Sequence, residues 1–130
     1  MSTIAKFLLS FGIVAALPLP ALAHNSDKMF DQDTIITLKG VVKEFQYTNP
    51  HSWLLVDVEN DDGTVTTWGF ETVPPSALMR AGIRPVDLAP GTGVTVSGNP
   101  MRDGRPAAEL TVVTRDDGTE FHPGLGFQVR

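Results

Sequence analysis

The sequence predicts an all-β domain: five strands that close on themselves, with one short helix between the third and the fourth. Three observations point there. Apolar residues alternate with polar ones in several short runs, which is strand periodicity, instead of recurring every three or four positions as on a helix face. The runs are separated by clusters of turn formers, among them Asn60-Asp61-Asp62-Gly63 and Asp116-Asp117-Gly118. Only Pro74-Pro75-Ser76 with the following Ala77 to Ala81 has the composition of a helix.

Each element follows from its residues. Residues 24–33 are polar apart from Met29 and Phe30, so they read as an extended arm whose two apolar side chains tack it to the domain. Thr34 to Tyr47 is a long first strand. Its apolar residues sit on even positions before Gly40 (Ile36, Leu38) and mainly on odd ones after it (Val41, Phe45, Tyr47). A β-bulge at Gly40 would produce that change and bend the strand. Ser52 to Glu59 sets Leu54, Val56 and Val58 against a mixed face of Trp53, Leu55 and Asp57. Thr64 to Glu71 returns as the third strand, with Trp68 and Phe70 on one side. The helix follows, and Gly82 stops it; Arg84 to Leu88 adds a single turn. Val94 to Gly98 points Val94 and Val96 inward, and Arg105 to Thr114 places Ala108, Leu110 and Val112 on its core side. Residues 119–130 read as an irregular tail with one short pairing near Glu120 and Phe121. Five strands, a bulged first strand and a helix after the third match the oligonucleotide/oligosaccharide-binding barrel, or OB-fold, over residues 34–118. A small sandwich, the alternative, would not need that helix.

A chain of 130 residues holds one such domain. Residues 1–23 read as a cleaved signal peptide. Lys6 supplies the early positive charge, Phe7 to Leu17 the apolar run, Pro18 and Pro20 the break, and Ala21-Leu22-Ala23 the small-x-small ending. The apolar run is shorter than the roughly 20 residues that span a bilayer, so no retained anchor is expected. Export to the bacterial periplasm is the reading, with full secretion left open. Cleavage removes Lys6 and leaves a product more acidic than the formal −5 of the whole chain. Such a surface repels phosphates and argues against nucleic acid as a partner. With no cysteine there is no disulfide, thiolate nucleophile or lipid-bearing thiol to hold the product at a membrane.

Several stretches resemble a family of small exported bacterial proteins known as domain-of-unknown-function family 6152. They are Met29-Phe30-Asp31, Thr37-Leu38-Lys39-Gly40-Val41-Val42, Thr48-Asn49-Pro50-His51-Ser52-Trp53, Trp68 to Glu71, Ser76-Ala77-Leu78 with Arg80 and Gly82, and Val94 to Gly98. The resemblance implies a fold and an export route, and it carries no activity. It departs at the start of the mature chain, where the family tends to paired histidines and a Ser-Phe, and this chain has His24 followed by Asn25, Ser26 and Asp27.

Two places carry candidate chemistry. The first is the corner from Thr48 to Trp53. Pro50 disfavours the α conformation at Asn49, so the chain enters the second strand by a stiff bend. Tyr47, His51 and Trp53 would then cluster on one side. The mixed face of strands two and three is the usual platform of such barrels, and it would add Asp57, Thr67 and Glu71. Tyr47, Asn49, His51, Trp53, Asp57, Thr67 and Glu71 are therefore the candidate ligand-binding residues, for a small molecule or an envelope protein. The plainer alternative has Asn49 capping a turn, His51 meeting a backbone carbonyl, and Trp53 covering the barrel. The second place is His24. As a new amino terminus, its α-amine and imidazole would chelate a copper ion, with His51 as second ligand, His122 as substitute and Met29 for the reduced metal. The plainer alternative there is an exposed terminal histidine left by processing. No cofactor is otherwise implied.

Catalysis is not expected. His51 with Asp57 or Glu71 is the one acid-base pairing on offer, and no serine, cysteine or phosphate-loop motif accompanies it. Ser52 beside His51 makes no dyad, because adjacent strand residues point to opposite faces. The two Asp-Asp-Gly stretches lack the ligand run of a calcium loop and read as hairpin turns. The leading expectation is a non-catalytic exported binding module. A copper-binding protein is the alternative, and a structural role in an envelope complex is a third.

Overall fold

Five strands wind into one closed barrel in the computed structural model, which describes residues 29–123. The leader expected at residues 1–23, the candidate ligand His24 and the tail beyond Pro123 lie outside the described residues. The strands are β1 (Ile36–Gln46), β2 (Trp53–Glu59), β3 (Val65–Glu71), β4 (Gly93–Pro100) and β5 (Ala107–Arg115), with a two-residue β6 (Glu120–Phe121) at the end. Between β3 and β4 stand helix α1 (Pro75–Arg80) and a 3-10 turn, Pro85–Leu88.

The sheet order β3-β2-β1-β4-β5 is joined into a ring by a parallel pairing of β3 with β5, Gly69 opposite Ala107 and Glu71 opposite Glu109. That is the expected OB-type barrel. β1 makes closure possible because it serves two neighbours: Ile36 to Val41 pair with β4, and Val41 to Gln46 pair with β2. At the bend, a Cβ on Gly40 would collide with the Asp57 carbonyl and the Val56 side chain, so glycine is what lets β2 come this close.

The bulge itself lies at Lys43, not at Gly40. The β1–β2 register slips between Val42 and Glu44, so the inward set is Ile36, Leu38, Gly40 and Val42, then Phe45, while Val41 points outward and is exposed. A polar Lys43-Glu44 pair tolerates the extra outward residue better than an apolar one would. A second bulge sits at Thr111, where Ser97 faces Val112 but Gly98 faces Leu110. It reverses the parity of β5, so Val113 and not Val112 joins Ala108 and Leu110 in the core.

Inside the ring, Val42, Leu54, Val56, Val58, Phe70, Val94 and Val96 form one cluster with Leu78 of α1 and with Ile83 and Leu88. The helix starts at Pro75, whose missing N–H costs nothing in a first turn, and ends before Gly82, which adopts φ 76°. Its short length suffices because packing of Leu78, and not helix propensity, holds it. The arm is fastened by Phe30, which is fully buried, and by Asp31 N–H to Pro100 O at 2.8 Å; Met29 remains exposed.

Candidate functional site

The corner after β1 is pinned from within. The Thr48 hydroxyl donates to the His51 carbonyl at 3.2 Å, the Ser52 amide to Val73 O at 3.3 Å, and the Thr72 amide to Ser52 O at 2.9 Å. The Asn49–Pro50 bond is cis. With Ser52 wholly buried, strand alternation turns His51 and Trp53 to the outside.

On that outer face His51 Nδ1 donates to Glu71 Oε1 in a short contact. The imidazole is half exposed at 51 % and the carboxylate, at 17 %, is partly sheltered. The pairing orients the ring and leaves Nε2 as its remaining polar atom. Trp53 stands opposite Glu71 in the register, and its indole lies over Gly69, where a Cβ would be 3.3 Å from Cε3. A bare glycine under an indole gives the aromatic a flat seat. Asn49 is exposed on the same corner.

The other predicted members are elsewhere. Tyr47 faces inward: its hydroxyl donates to Ile83 O at 2.8 Å, with Pro75 O at 3.3 Å, and its ring meets Phe45 edge-on at 5.5 Å. Burial pushes the phenol pKa up, and the Asp87 charge adds to it. Tyr47 is a fastener between β1 and α1, because the bulge at Lys43 had already turned the odd positions inward. Asp57 and Thr67 face outward but bond to each other, hydroxyl to carboxylate at 2.6 Å, with Lys43 Nζ at 3.5 Å from the hydroxyl. They sit four residues along the strand from Trp53 and Glu71, roughly 13 Å away at strand rise.

The predicted set is thus reduced to Asn49, His51, Trp53 and Glu71, and the fold adds others. Glu109 lies beside Glu71 through the parallel β3–β5 pairing and accepts from Gln32 Nε2 at 2.7 Å. Glu44 and Gln46 flank Trp53 from β1. Alternation marks Glu44 and Glu109 only as outward, and no local signal announces which strands meet to close a ring. Beyond Glu109 is a shallow hollow of about 430 Å³ lined by Gln32, Asn99, Thr111 and His122. His122 is thus drawn to that hollow, where its Nε2 stands 4.0 Å from Glu120.

Among the described residues, no three His, Asp or Glu side chains come together as a metal-holding group. The copper pairing rests on His24, which lies outside them. The turn carboxylates serve the turns: Asp62 takes the Thr64 hydroxyl and amide, and Asp117 takes the Arg115 guanidinium and the Thr119 amide. Both carboxyls are held below the usual range, by the Thr64 hydroxyl and the Arg115 guanidinium first of all.

Comparison with curated proteins and with solved structures returns no match for this chain. One family model matches, from residue 12 into β5, and the motifs it spans include the Leu-Lys-Gly of the bend and the Asn-Pro-His of the corner. The chain belongs to the family of unknown function DUF6152, whose model covers residues 12–109.

Proposed function

We propose that this chain is an exported, non-catalytic binding module whose ligand or partner docks at the corner of Asn49, His51 and Trp53. One observation carries the reading: a half-exposed imidazole, oriented by Glu71, stands beside an indole seated on a glycine, both on the outside of a rigid ring. An apolar body with polar groups at its edge is what stacking recognition uses. The corner's other hydrogen bonds run through Thr48, Ser52, Thr72 and Val73, and the His51 imidazole takes no part in them. Transport out of the cytoplasm rests on the leader at residues 1–23.

The test is a ligand screen read by indole emission. Envelope glycans, planar small molecules and envelope protein extracts would be titrated against the chain and against Trp53→Ala and His51→Ala, with circular dichroism to check folding. A ligand that shifts emission in the parent and binds at least about tenfold more weakly to both variants supports the corner. Ligands that bind all three alike would remove it.

A further inference from the structure

The outer face around Trp53 carries three carboxylates with no lysine or arginine within ion-pair distance among the described residues, whereas each ion-paired arginine is spent on a turn or loop aspartate elsewhere. Arg84, Arg102, Arg105 and Arg115 each stand within ion-pair distance of an aspartate of a turn or loop: Asp87, Asp31, Asp103 and Asp117. The pairing depresses the pKa of Asp87, Asp103 and Asp117, chiefly through hydrogen bonds from the neighbouring arginine. Glu44, Glu71 and Glu109, which ring Trp53 on β1, β3 and β5, have only neutral donors or His51: Gln46 for Glu44, His51 for Glu71, Gln32 for Glu109. Among the described residues no lysine or arginine pairs with any of the three. They span three strand spacings, about 14 Å, with the indole between them.

From this charge pattern, and resting on the docking reading above, we infer that the Trp53 face receives an extended basic segment of a partner protein, with an arginine guanidinium over the indole and its N–H groups on Glu71 and Glu109. Arginine fits better than lysine because its plane stacks on an aromatic face while its fork matches carboxylates. A protein segment fits better than a small cation because the face is the outside of a closed barrel, and small molecules select concave sites. The shape asks for something that lies along a surface, and the charge asks for something positive.

The experiment titrates the chain, purified from cells expressing the full sequence, with amidated Arg-Gly-Arg-Gly-Arg and with its Gln and Glu counterparts. Heat and indole emission are both read, and Trp53→Phe assigns the emission change. The arginine peptide is expected to bind saturably, to shift Trp53 emission, and to weaken several-fold as salt rises from about 0.05 M to about 0.2 M. Glu71→Gln and Glu109→Gln, with unchanged circular dichroism, should each weaken it about threefold. The inference is overturned if the three peptides bind alike, if both variants bind as the parent does, or if free argininamide binds as tightly as the peptide. It is equally overturned if sedimentation shows two copies of this chain joined through the face. A Trp53 response confined to the Gln or Glu peptide would overturn the basic partner and leave the corner a docking site. Silence of Trp53 toward all three would overturn the basic partner, and the ligand screen then decides the corner by itself.

Discussion

Tyr47 stands three residues before Pro50 and Trp53 three after it, and the two aromatics have opposite fates. Tyr47 turns inward, gives its hydroxyl to the Ile83 carbonyl and sets its ring against Phe45, so that β1 is tied to the chain around α1. Trp53 turns outward and rests on Gly69 with the half-exposed His51 as neighbour. Both are amphipathic rings of similar reach. What separates them is the bulge at Lys43 on one side and the buried Ser52 on the other, which together set which face each ring occupies. Chemistry available to a ligand is therefore a matter of strand parity at this corner, not of residue type.

The comparison breaks most sharply at Leu54 and Trp53, adjacent residues on opposite faces of β2. Leu54 is fully buried in the cluster with Val56, Phe70 and Leu78. Leu54→Ala should lower stability by about 3 kcal/mol, from lost transfer energy plus the cavity left in a ring that has little room to collapse. Trp53→Ala removes a larger side chain, yet one only partly withdrawn from water, and should cost about 1.5 kcal/mol. Urea midpoints at unchanged slope measure both. Equal losses would make Trp53 a core residue and erase the distinction.

Tyr47→Phe is the next smaller effect. It deletes one hydroxyl and leaves the Ile83 carbonyl short of a donor, at a cost of about 1 kcal/mol. Because the ring stays in place, the emission response of Trp53 to any ligand should be the same as in the parent. A variant that lost ligand response while keeping its stability would return Tyr47 to the binding face.

Much of the ring was legible from pattern alone. The alternation Leu54, Val56, Val58 and the Asn60 to Gly63 turn are local signals, and the structure has β2, the turn and β3 where those residues put them. Pro75 and Gly82 bracketed α1 for the same reason. The bulges were harder. Gly40 looks like the break because a glycine interrupts the strand, whereas its role is close approach of Asp57, and the slip falls at Lys43, which no composition rule marks. Thr111 hides in a run of β-formers, so unbroken alternation puts Val112 on the core side that Val113 occupies. Half of the candidate site shared that difficulty. His51, Trp53 and Glu71 follow from alternation on one hairpin, but Glu109 reaches them through a parallel contact between strands separated by a helix. Pairing at that range is set by closure of the ring and has no local signature.

Gly69 gives the finest test of the comparison. In a strand interior, Ala in place of Gly gains about 0.5–1 kcal/mol by restricting the unfolded chain, provided the new methyl group finds room. Here the methyl would approach the Trp53 ring at 3.3 and 3.4 Å and the Leu55 Cδ2 at 3.7 Å. The backbone is clear, and the crowding atoms belong to a ring on an open face that can lift by a few tenths of an ångström. Gly69→Ala should therefore leave stability within about 0.5 kcal/mol of the parent while shifting Trp53 emission and weakening whatever stacks there. A loss above about 2 kcal/mol would mean the ring cannot lift, as over-packing of a closed core predicts. In that case Trp53 is held as firmly as Tyr47, and the outward half of the corner is a lid on the barrel instead of a platform.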